Sequence, residues 1–342
     1  MPFEIIKQLK SWLAINPIIG CPSECAYCYR QDDNIFWVKE PVQIRTVEET
    51  LNNLLNHRFF LPNSTPIAIC NMTTDPFFEK PKKFIYELLS KLDDSGYTNS
   101  VGLITKQLIT KDDIAFLESL SNININVFVT YSEMPKNIEP IGNERRKQSL
   151  KNLSDSKIKT ILYWRPIIEG QNTDEKRIKE VLDFGEKCAD AFVISGLKIS
   201  PNISASLEKQ GVHLVGEFKS DHKKISDGST SNILNFYKEE DISTPLFRRT
   251  SCAVSYLKNI SDYNAHWSNP QKNCLDTCPA SQKQSCSLAA KPKKEMIEFL
   301  LEKMDNRSEF EINENYVGIK GRLTAEELTY LRHNLLFPVS SI

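Results

Sequence analysis

Three cysteines stand close together near the start of the chain. Cys21, Cys25 and Cys28 are separated by three and then two residues in the segment GCPSECAYCYR. Three thiolates on one short loop can each bind one iron of a four-iron, four-sulfur (4Fe–4S) cube, which leaves the fourth iron without a protein ligand. An open position on a metal is what reactive sites keep and structural sites close. The spacing therefore predicts a reactive iron–sulfur site.

A zinc knuckle is the alternative for this loop. Zinc would need a fourth protein ligand nearby and is more often bound by C-x-x-C pairs. Residues 15–45 contain no histidine and no further cysteine. Three thiols that merely pack in a core are disfavoured, because Pro22, Glu24 and Arg30 make the loop polar. The iron–sulfur interpretation is therefore the better one.

A second group of cysteines lies in the last third of the chain, at Cys252, Cys274, Cys278 and Cys286. Four thiols are a complete ligand set for a second iron–sulfur cluster or for a structural zinc. The spacers within this group are less typical of zinc ribbons, and the proline after Cys278 is typical of some cluster ligands. An auxiliary cluster, a zinc ion and unmetallated thiols all remain open, with His266 as a spare ligand. Cys70 and Cys188 stand alone and are interpreted as buried structural thiols.

The composition is that of an ordinary soluble protein. The chain has 342 residues, of which 40% are apolar and 25% charged, with a formal net charge of −1. The overall charge therefore provides no attraction to nucleic acid or to a membrane. The first residues are too mixed in charge for a secretory signal, and no apolar run reaches the ~20 residues that span a bilayer. We expect a cytoplasmic protein without a membrane partner, in a compartment where thiols stay reduced.

Strand-like and helix-like patterns alternate over the first two thirds of the chain. An apolar strand at 12–19 leads directly into the first cysteine loop, and the later strands are predicted at 66–71, 100–105, 124–131, 159–166 and 190–195. Helices are predicted at 47–57, 80–95, 111–121, 144–155 and 173–187. One strand and one helix per ~30 residues is the size of a βα unit. The predicted fold class is α/β, a partial (β/α)6 barrel over residues 1–235, whose active site lies in the loops after the strands.

The alternation ends after about residue 200. The polar segment 220–232, which contains Gly228, predicts a surface loop. Residues 236–342 are predicted to form a small C-terminal metal-binding module with a helix at 292–305, short strands within 308–319 and a helix at 324–334. The last helix begins with a capping-box pattern, Thr324 followed three residues later by Glu327.

The first cysteine loop resembles that of the radical S-adenosylmethionine (SAM) superfamily. NPIIGCPSECAYCYR matches its C-x3-C-x2-C loop, including Tyr27 directly before the third cysteine. Four further segments are similar to spore photoproduct lyase and its relatives: TTDPFFEK at 73–80, ITKQLITKDDI at 104–114, EP at 139–140 before ERRKQSLKNL, and RPIIEGQNTDE at 165–175. The similarity covers roughly residues 12–200. It implies a 4Fe–4S cluster and SAM as cofactors, and a lyase or oxidoreductase that reductively cleaves SAM to a 5′-deoxyadenosyl radical.

The resemblance also implies which residues bind the cofactor. Thr74 and Asp75 correspond to contacts with the amino group of SAM, Lys106 to a contact with its carboxylate, Ser132 to a contact with the ribose or carboxylate, and Tyr27 to the adenine position. Arg165, at another strand end, is expected to bind cofactor or substrate. The residues alone are also compatible with an exposed Lys106, a turn at Asp75 and an ion pair at Arg165.

The function expected from these features is a radical SAM enzyme that abstracts hydrogen from an unidentified substrate. Analogy with the subgroup slightly favours nucleic acid, and no catalytic side chain is assigned. An external electron donor such as flavodoxin or ferredoxin would reduce the cluster. The alternative is a non-enzymatic iron–sulfur redox sensor or binding protein on the same fold.

Overall fold

The fold is that of a computed structural model, which describes residues 4–33, 35–214 and 225–342. Its strands are β1 (Ile6–Gln8), β2 (Leu13–Ile15), β3 (Ile18–Ile19), β4 (Val42–Gln43), β5 (Ile67–Ile69), β6 (Ser100–Thr105), β7 (Asn124–Thr130), β8 (Lys159–Ile167), β9 (Ala191–Gly196), β10 (Leu246–Phe247), β11 (Phe310–Ile312), β12 (Val317–Ile319) and β13 (Val339–Ser341). Its helices are α1 (Val47–Leu55), α2 (Glu79–Asp94), α3 (Lys111–Ser119), α4 (Asn143–Ser154), α5 (Glu175–Cys188), α6 (Pro201–Glu208), α7 (Asp227–Glu239), α8 (Thr250–Leu257), α9 (Pro270–Asn273), α10 (Ala280–Ser287), α11 (Lys294–Lys303) and α12 (Ala325–Leu335).

The central sheet has eight strands in the order β1-β2-β5-β6-β7-β8-β9-β10. All neighbours from β2 to β10 are parallel, and only β1 runs antiparallel, against β2. Helices α2 to α5 each connect two adjacent parallel strands, as βα crossovers do. The predicted α/β class with a mostly parallel sheet is confirmed, and the strand order is consistent with a partial barrel. The edge strands β1 and β10 were not predicted, since strands of three and two residues are too short to show a periodic pattern.

The two faces of the sheet bury different kinds of side chain. Strand residues such as Leu13, Ile69 and Leu103 point toward the helices and are fully buried. The alternate residues form what we call the inner face, on which Ala14, Ala68, Phe128, Tyr163, Ala191 and Val193 belong to a separate buried cluster. Alanines, and glycine at position 102, leave room on this face for larger groups to pack against the sheet.

Helix α8 occupies part of that room. Cys252, Ala253 and Val254 of α8 belong to the same buried cluster as the inner-face residues. Tyr263, beyond the helix, is 4% exposed and donates its hydroxyl to the Ser11 carbonyl at 2.9 Å. The C-terminal third of the chain therefore contributes a helix to the inner face of the sheet. No helix within the described ranges is long and apolar enough to cross a bilayer.

Several predicted elements need correction. The strand predicted at 12–19 is interrupted at residues 16–17, so that β2 pairs in the central sheet while β3 pairs with β4. Of the loop predicted at 220–232, residues 220–224 lie outside the described residues, and residues 227–232 begin helix α7. The loop prediction is wrong there because Ser226 caps the helix by accepting the Ser229 N–H at 3.1 Å. The predicted domain boundary after residue 235 falls within α7, and the division into two domains stays a prediction.

The small C-terminal sheet has the order β11-β12-β13. The helices and strands predicted in this region are confirmed. Helix α11 corresponds to the helix predicted at 292–305, and α12 to the helix predicted at 324–334. The capping box is present: Thr324 Oγ1 accepts the Glu327 N–H at 3.2 Å, and the Glu327 carboxylate accepts the Thr324 N–H at 2.8 Å.

Candidate functional site

The first cysteine loop is held in place by Arg30. This guanidinium is 4% exposed and donates to the carbonyls of Cys21 at 3.3 Å, Ile35 at 2.8 Å and Val38 at 2.9 Å. The Cys21 N–H also donates to the Val38 carbonyl at 3.2 Å. Arg30 thus ties the two ends of the segment 21–38 together. Sequence reasoning used Arg30 only as a sign of polarity and missed this role.

The three thiols of the loop line one cavity of about 170 Å³. Cys25 is buried, and Cys21 and Cys28 are partly exposed. Burial raises the pKa of Cys25 to about 12, although the Lys106 ammonium opposes the shift. Burial also raises the pKa of Cys28, against a hydrogen bond from the Arg30 backbone N–H. A bound metal favours the thiolate form and so would offset this burial cost, and the donor set therefore fits an iron–sulfur cluster.

The cavity lies where the parallel strands end. Polar residues at or after the carboxyl ends of β5, β6, β7, β8 and β9 line it: Asn71, Thr74, Asp75, Thr105, Lys106, Thr130, Arg165 and Ser195. The structure thus brings Tyr27, Thr74, Asp75, Lys106 and Arg165 to the same cavity as the three cysteines. Ser132 does not line it. This is the edge at which α/β barrels place their active sites.

Both oxygens of Asp75 accept hydrogen bonds from the protein. Its Oδ1 accepts the Thr105 hydroxyl at 2.7 Å and the Phe77 N–H at 3.0 Å, and its Oδ2 accepts the Lys106 N–H at 2.8 Å. Burial raises the pKa of this carboxyl in spite of these donors. Asp75 therefore ties the end of β5 to the end of β6, a role the sequence did not reveal.

Two neighbouring groups on the cavity wall have unused hydrogen-bonding capacity. The hydroxyl of Thr74 and the amide oxygen of Asn71 are buried, and neither has a hydrogen-bond partner among the described residues. A buried polar atom without a partner is costly unless a ligand or water completes it. The Ser132 hydroxyl is also without a partner in the described part of the chain, but its carbonyl accepts from Asn172 at 2.8 Å away from the cavity lining.

Lys106 is a partly buried member of an ion-pair network. Its Nζ lies 2.7 Å from Glu139 Oε1, 2.5 Å from the Tyr27 hydroxyl and 3.5 Å from Cys25 Sγ. Arg146 lies on the other side of the same carboxylate, 2.8 Å from Oε2. Glu139 and Arg146 were missed as site residues. The signal in the sequence was the EP dipeptide and the arginine seven residues beyond Glu139.

Arg165 is bound differently. Its Nη1 donates to the Tyr163 hydroxyl at 3.0 Å, and its guanidinium carbon lies 4.0 Å from the centre of that ring. No carboxylate of the described residues forms an ion pair with Arg165, whereas Lys106 is paired with Glu139. Arg165 therefore brings an unpaired positive charge to the cavity.

The second group of cysteines lies on the inner face, around Cys252. Burial raises the pKa of Cys252 well above its usual value, and Asp262 and the thiols of Cys274, Cys286 and Cys278 raise it further. Cys278 packs against the same buried cluster as Cys252. These electrostatic effects place the four predicted thiols in one region of the molecule.

Asp262 joins this region and was not predicted. Its side chain has no exposed surface, its Oδ2 accepts the His266 backbone N–H at 2.8 Å, and its Oδ1 has no partner in the described residues. Donor atoms of Cys252, Asp262 and His266 lie within 4.8 Å of one another. Nothing in the residue pattern around Asp262 marks it, because its proximity to Cys252 arises from the turn that follows α8.

The chain is similar to known proteins in its fold and not in its sequence. No protein-family model matches the chain, and no curated protein matches it in sequence. A structure of a spore photoproduct lyase mutant superposes with a TM-score of 0.53 and 11% identity, over 70% of this chain and 77% of the lyase. The chain shares the fold of spore photoproduct lyase. The resemblance to radical SAM enzymes is confirmed at this level.

Two further structures extend the comparison. Another spore photoproduct lyase mutant, with bound SAM and dinucleoside spore photoproduct, superposes with a TM-score of 0.51 and 11% identity over 68% of this chain and 76% of the lyase. SuiB of Streptococcus suis, bound to SAM, superposes with a TM-score of 0.49 and 12% identity over 76% of this chain. This chain spans 55% of the length of SuiB.

Proposed function

We propose that the protein is a radical SAM enzyme of the type of spore photoproduct lyase. The observation that carries the proposal is the convergence of Cys21, Cys25 and Cys28 on a polar cavity at the carboxyl ends of the strands. When bound, a 4Fe–4S cluster with one open iron supplies the electron that cleaves SAM to a 5′-deoxyadenosyl radical, which takes a hydrogen atom from the substrate.

The residues around the cavity divide the binding of SAM among them. The three cysteines would hold the cluster, and the unpartnered oxygens of Thr74 and Asn71 can accept from the ammonium group of the cofactor. Asp75 is proposed to stabilise this part of the cavity and not to bind SAM, since protein donors already use both its oxygens. Tyr27 is fixed by the Lys106 ammonium and is proposed to lie beside the adenine.

The carboxylate of SAM needs a cation. In the described part of the chain, four cationic side chains line the cavity, of which Arg30 donates to three backbone carbonyls and Lys198 lies beside the Tyr29 ring, so that Lys106 and Arg165 are the two candidates. The charge of Lys106 is already balanced by Glu139 at 2.7 Å, whereas Arg165 has no carboxylate partner among the described residues. Arginine can offer a carboxylate two parallel N–H donors. We therefore assign the carboxylate of SAM to Arg165. Lys106 lies close to Cys25 and places its positive charge beside the cysteine loop. Ser132, for which the resemblance implied a contact with the ribose or the carboxylate, lies outside the cavity lining, so that such a contact would need a wider cavity in the bound state.

A second 4Fe–4S cluster is proposed at Cys252, Cys274, Cys278 and Cys286. Four sulfurs around one zinc ion at ~2.3 Å would lie about 3.8 Å apart. Among the described residues, the one trio of potential ligands within 4.8 Å of one another is Cys252, Asp262 and His266, so no three of these cysteine sulfurs are that close. Wider spacing suits a cube that binds one thiolate at each corner, which supports a cluster over zinc.

The proposed substrate is a nucleic-acid fragment. Lys198 and Tyr29 both line the cavity, and the Lys198 ammonium lies 6.0 Å from the centre of the Tyr29 ring. Cations beside aromatic rings suit a ligand that has both bases and phosphates. A flavodoxin or ferredoxin is the proposed electron donor, because Cys21 and Cys28 are partly exposed and a cluster bound there lies near the surface.

The binding of SAM at the open iron can be tested by spectroscopy. The protein is loaded with iron and sulfide without oxygen, reduced with dithionite and titrated with SAM while its electron paramagnetic resonance (EPR) spectrum is recorded. A new ligand on iron should change the spectrum of the cluster held by Cys21, Cys25 and Cys28. A redox sensor that has lost the cofactor site would give the same spectrum with and without SAM.

A further inference from the structure

Two consecutive hydrogen bonds connect the cavity to helix α8. Arg165 Nη1 donates to the Tyr163 hydroxyl at 3.0 Å, and that hydroxyl lies 2.8 Å from Thr250 Oγ1. Because arginine can only donate, the Tyr163 oxygen is the acceptor for Arg165. The Tyr163 proton is then free to point to Thr250. Both hydroxyls are buried, with Tyr163 4% and Thr250 9% exposed, so water does not replace either bond at low cost.

Thr250 begins the helix turn that carries Cys252, the first cysteine of the second group. Ser251 Oγ lies 3.2 Å from His266 Nδ1, and the next residue is Cys252. Thr250 therefore contacts the hydrogen-bond partner of Arg165, Ser251 contacts His266, and the Cys252 sulfur lies within 4.8 Å of donor atoms of Asp262 and His266. A displacement of this helix turn changes all three sets of contacts together.

The position of the Arg165 side chain depends on these hydrogen bonds, whereas other cations of the cavity are held by other partners. Lys106 is fixed by the buried carboxylate of Glu139, and Arg30 by three backbone carbonyls. Among the described residues, the side-chain hydrogen bond and the ring contact of Arg165 are both with Tyr163. The orientation of Tyr163 therefore determines where the free N–H donors of Arg165 lie.

We propose that helix α8 is part of the cofactor site. Thr250 and Tyr163 act as positioning residues that hold Arg165 for the carboxylate of SAM, and the metal centre at Cys252 holds the helix turn in that position. The inference rests on the proposed radical SAM function and deepens it, because it makes SAM affinity depend on the second metal centre. Preorganisation of a binding group saves the cost of ordering it when the ligand binds.

The test measures SAM affinity rather than turnover. Oxidised, iron-loaded protein is titrated with SAM by anaerobic calorimetry, and iron content and thermal midpoint are recorded for each variant. Arg165→Gln should weaken binding by about 20-fold or more, as expected for loss of a charged hydrogen bond. Thr250→Val and Tyr163→Phe should each weaken it about fivefold with the first cluster retained. Thr250→Ser, which keeps the hydroxyl, should bind within about twofold of the parent.

The role of the second metal is tested with Cys278→Ser. Loss of that metal should weaken SAM binding about as much as Thr250→Val does, and the double variant should show little further loss, because both changes act through one helix turn. Parent-like affinity of Thr250→Val and Tyr163→Phe, or of Arg165→Gln, would overturn the positioning role. Parent-like affinity of metal-depleted Cys278→Ser would overturn the coupling to the second centre. Failure of the proposed function itself looks different, since the parent would then not bind SAM at all.

Discussion

Lys106 Nζ lies 2.7 Å from Oε1 of Glu139, a side chain with no exposed surface. The same carboxylate is paired with Arg146, whose side chain is also completely buried. Burial alone would raise the pKa of Glu139, but the two cations outweigh it and hold the pKa below its usual value. One carboxylate thus balances two cations, one of which lies 3.5 Å from the thiol of Cys25.

Removal of this carboxylate should destabilise the fold strongly. Glu139→Gln leaves the fully buried Arg146 and the partly buried Lys106 without a counter-charge, and breaking a buried pair such as that of Arg146 costs about 3–5 kcal/mol. The measurement is the free energy of unfolding by urea. The matched control is Glu309→Gln, which breaks an exposed pair with Lys320 and should leave the urea midpoint unchanged. Equal midpoints for the two variants would show that the network does not hold the fold.

A second prediction concerns pH. Burial lowers the pKa of His333 to about 4, and its Nδ1 has no partner among the described residues. The unfolded chain binds a proton near pH ~6.5, so the unfolded state takes up the proton first as the pH falls. His333 should therefore cost the fold up to about 1.4 kcal/mol per pH unit between pH ~6.5 and about 4.

The contribution of His333 is isolated by substitution. His333→Gln should flatten the fall in unfolding free energy over that pH range, while the exposed His213→Gln should keep the slope of the parent. His57, whose pKa burial also lowers to about 4, keeps part of the slope in both variants. An unchanged slope in His333→Gln would refute the assignment.

A third prediction concerns the first cluster. Replacing Cys21, Cys25 and Cys28 together by alanine should remove about four irons per chain and the absorbance assigned to that site. The sheet should stay folded, because Arg30 holds the loop through backbone carbonyls rather than through the thiols. Replacing Cys70 and Cys188, which lie away from the cavity lining, provides the control and should leave the iron content as it is. Unchanged iron in the triple variant would be incompatible with the assignment.

The sequence predicted the parallel sheet and the cysteine loop well, because both depend on local patterns. Strands with apolar residues on both faces and closely spaced thiols are visible over a few residues. Asp262 and Thr250 could not be found in this way. Thr250 is buried against Tyr163, which is 87 residues away in the sequence, and Asp262 is brought close to Cys252 by the turn that follows α8. Such roles arise from packing and have no local signature.

For Asp75 and Lys106, the sequence predicted the position of the residue but not its partners. The resemblance placed both at the cofactor, and both do line the cavity. Asp75, however, already accepts a hydrogen bond from Thr105, and the charge of Lys106 is balanced by Glu139. A family motif identifies the position of a residue, but its hydrogen-bond partners depend on side chains that the motif does not contain.

The fourth prediction concerns the second centre. Metal analysis should find close to eight irons per chain if both sites hold cubes, and four irons with one zinc would contradict the second cluster. Cys278→Ser should lower the iron content by about four and leave the first cluster in place. The C-terminal segment should then be cut faster by protease, since metal binding and folding of small metal sites are coupled. Cys188→Ser, at the end of α5, is the control and should change neither property.

The cluster at Cys21, Cys25 and Cys28 is proposed to cleave SAM. The most direct measurement is the formation of 5′-deoxyadenosine by iron-loaded protein with dithionite and SAM under anaerobic conditions, beside a Cys25→Ala variant. We expect 5′-deoxyadenosine from the parent and none from the variant, whose remaining two cysteines cannot hold the cube. Absence of this product from a parent that carries its full iron would contradict the proposed radical SAM function and favour a redox sensor. Equal product from both proteins would show that the cleavage does not depend on this site.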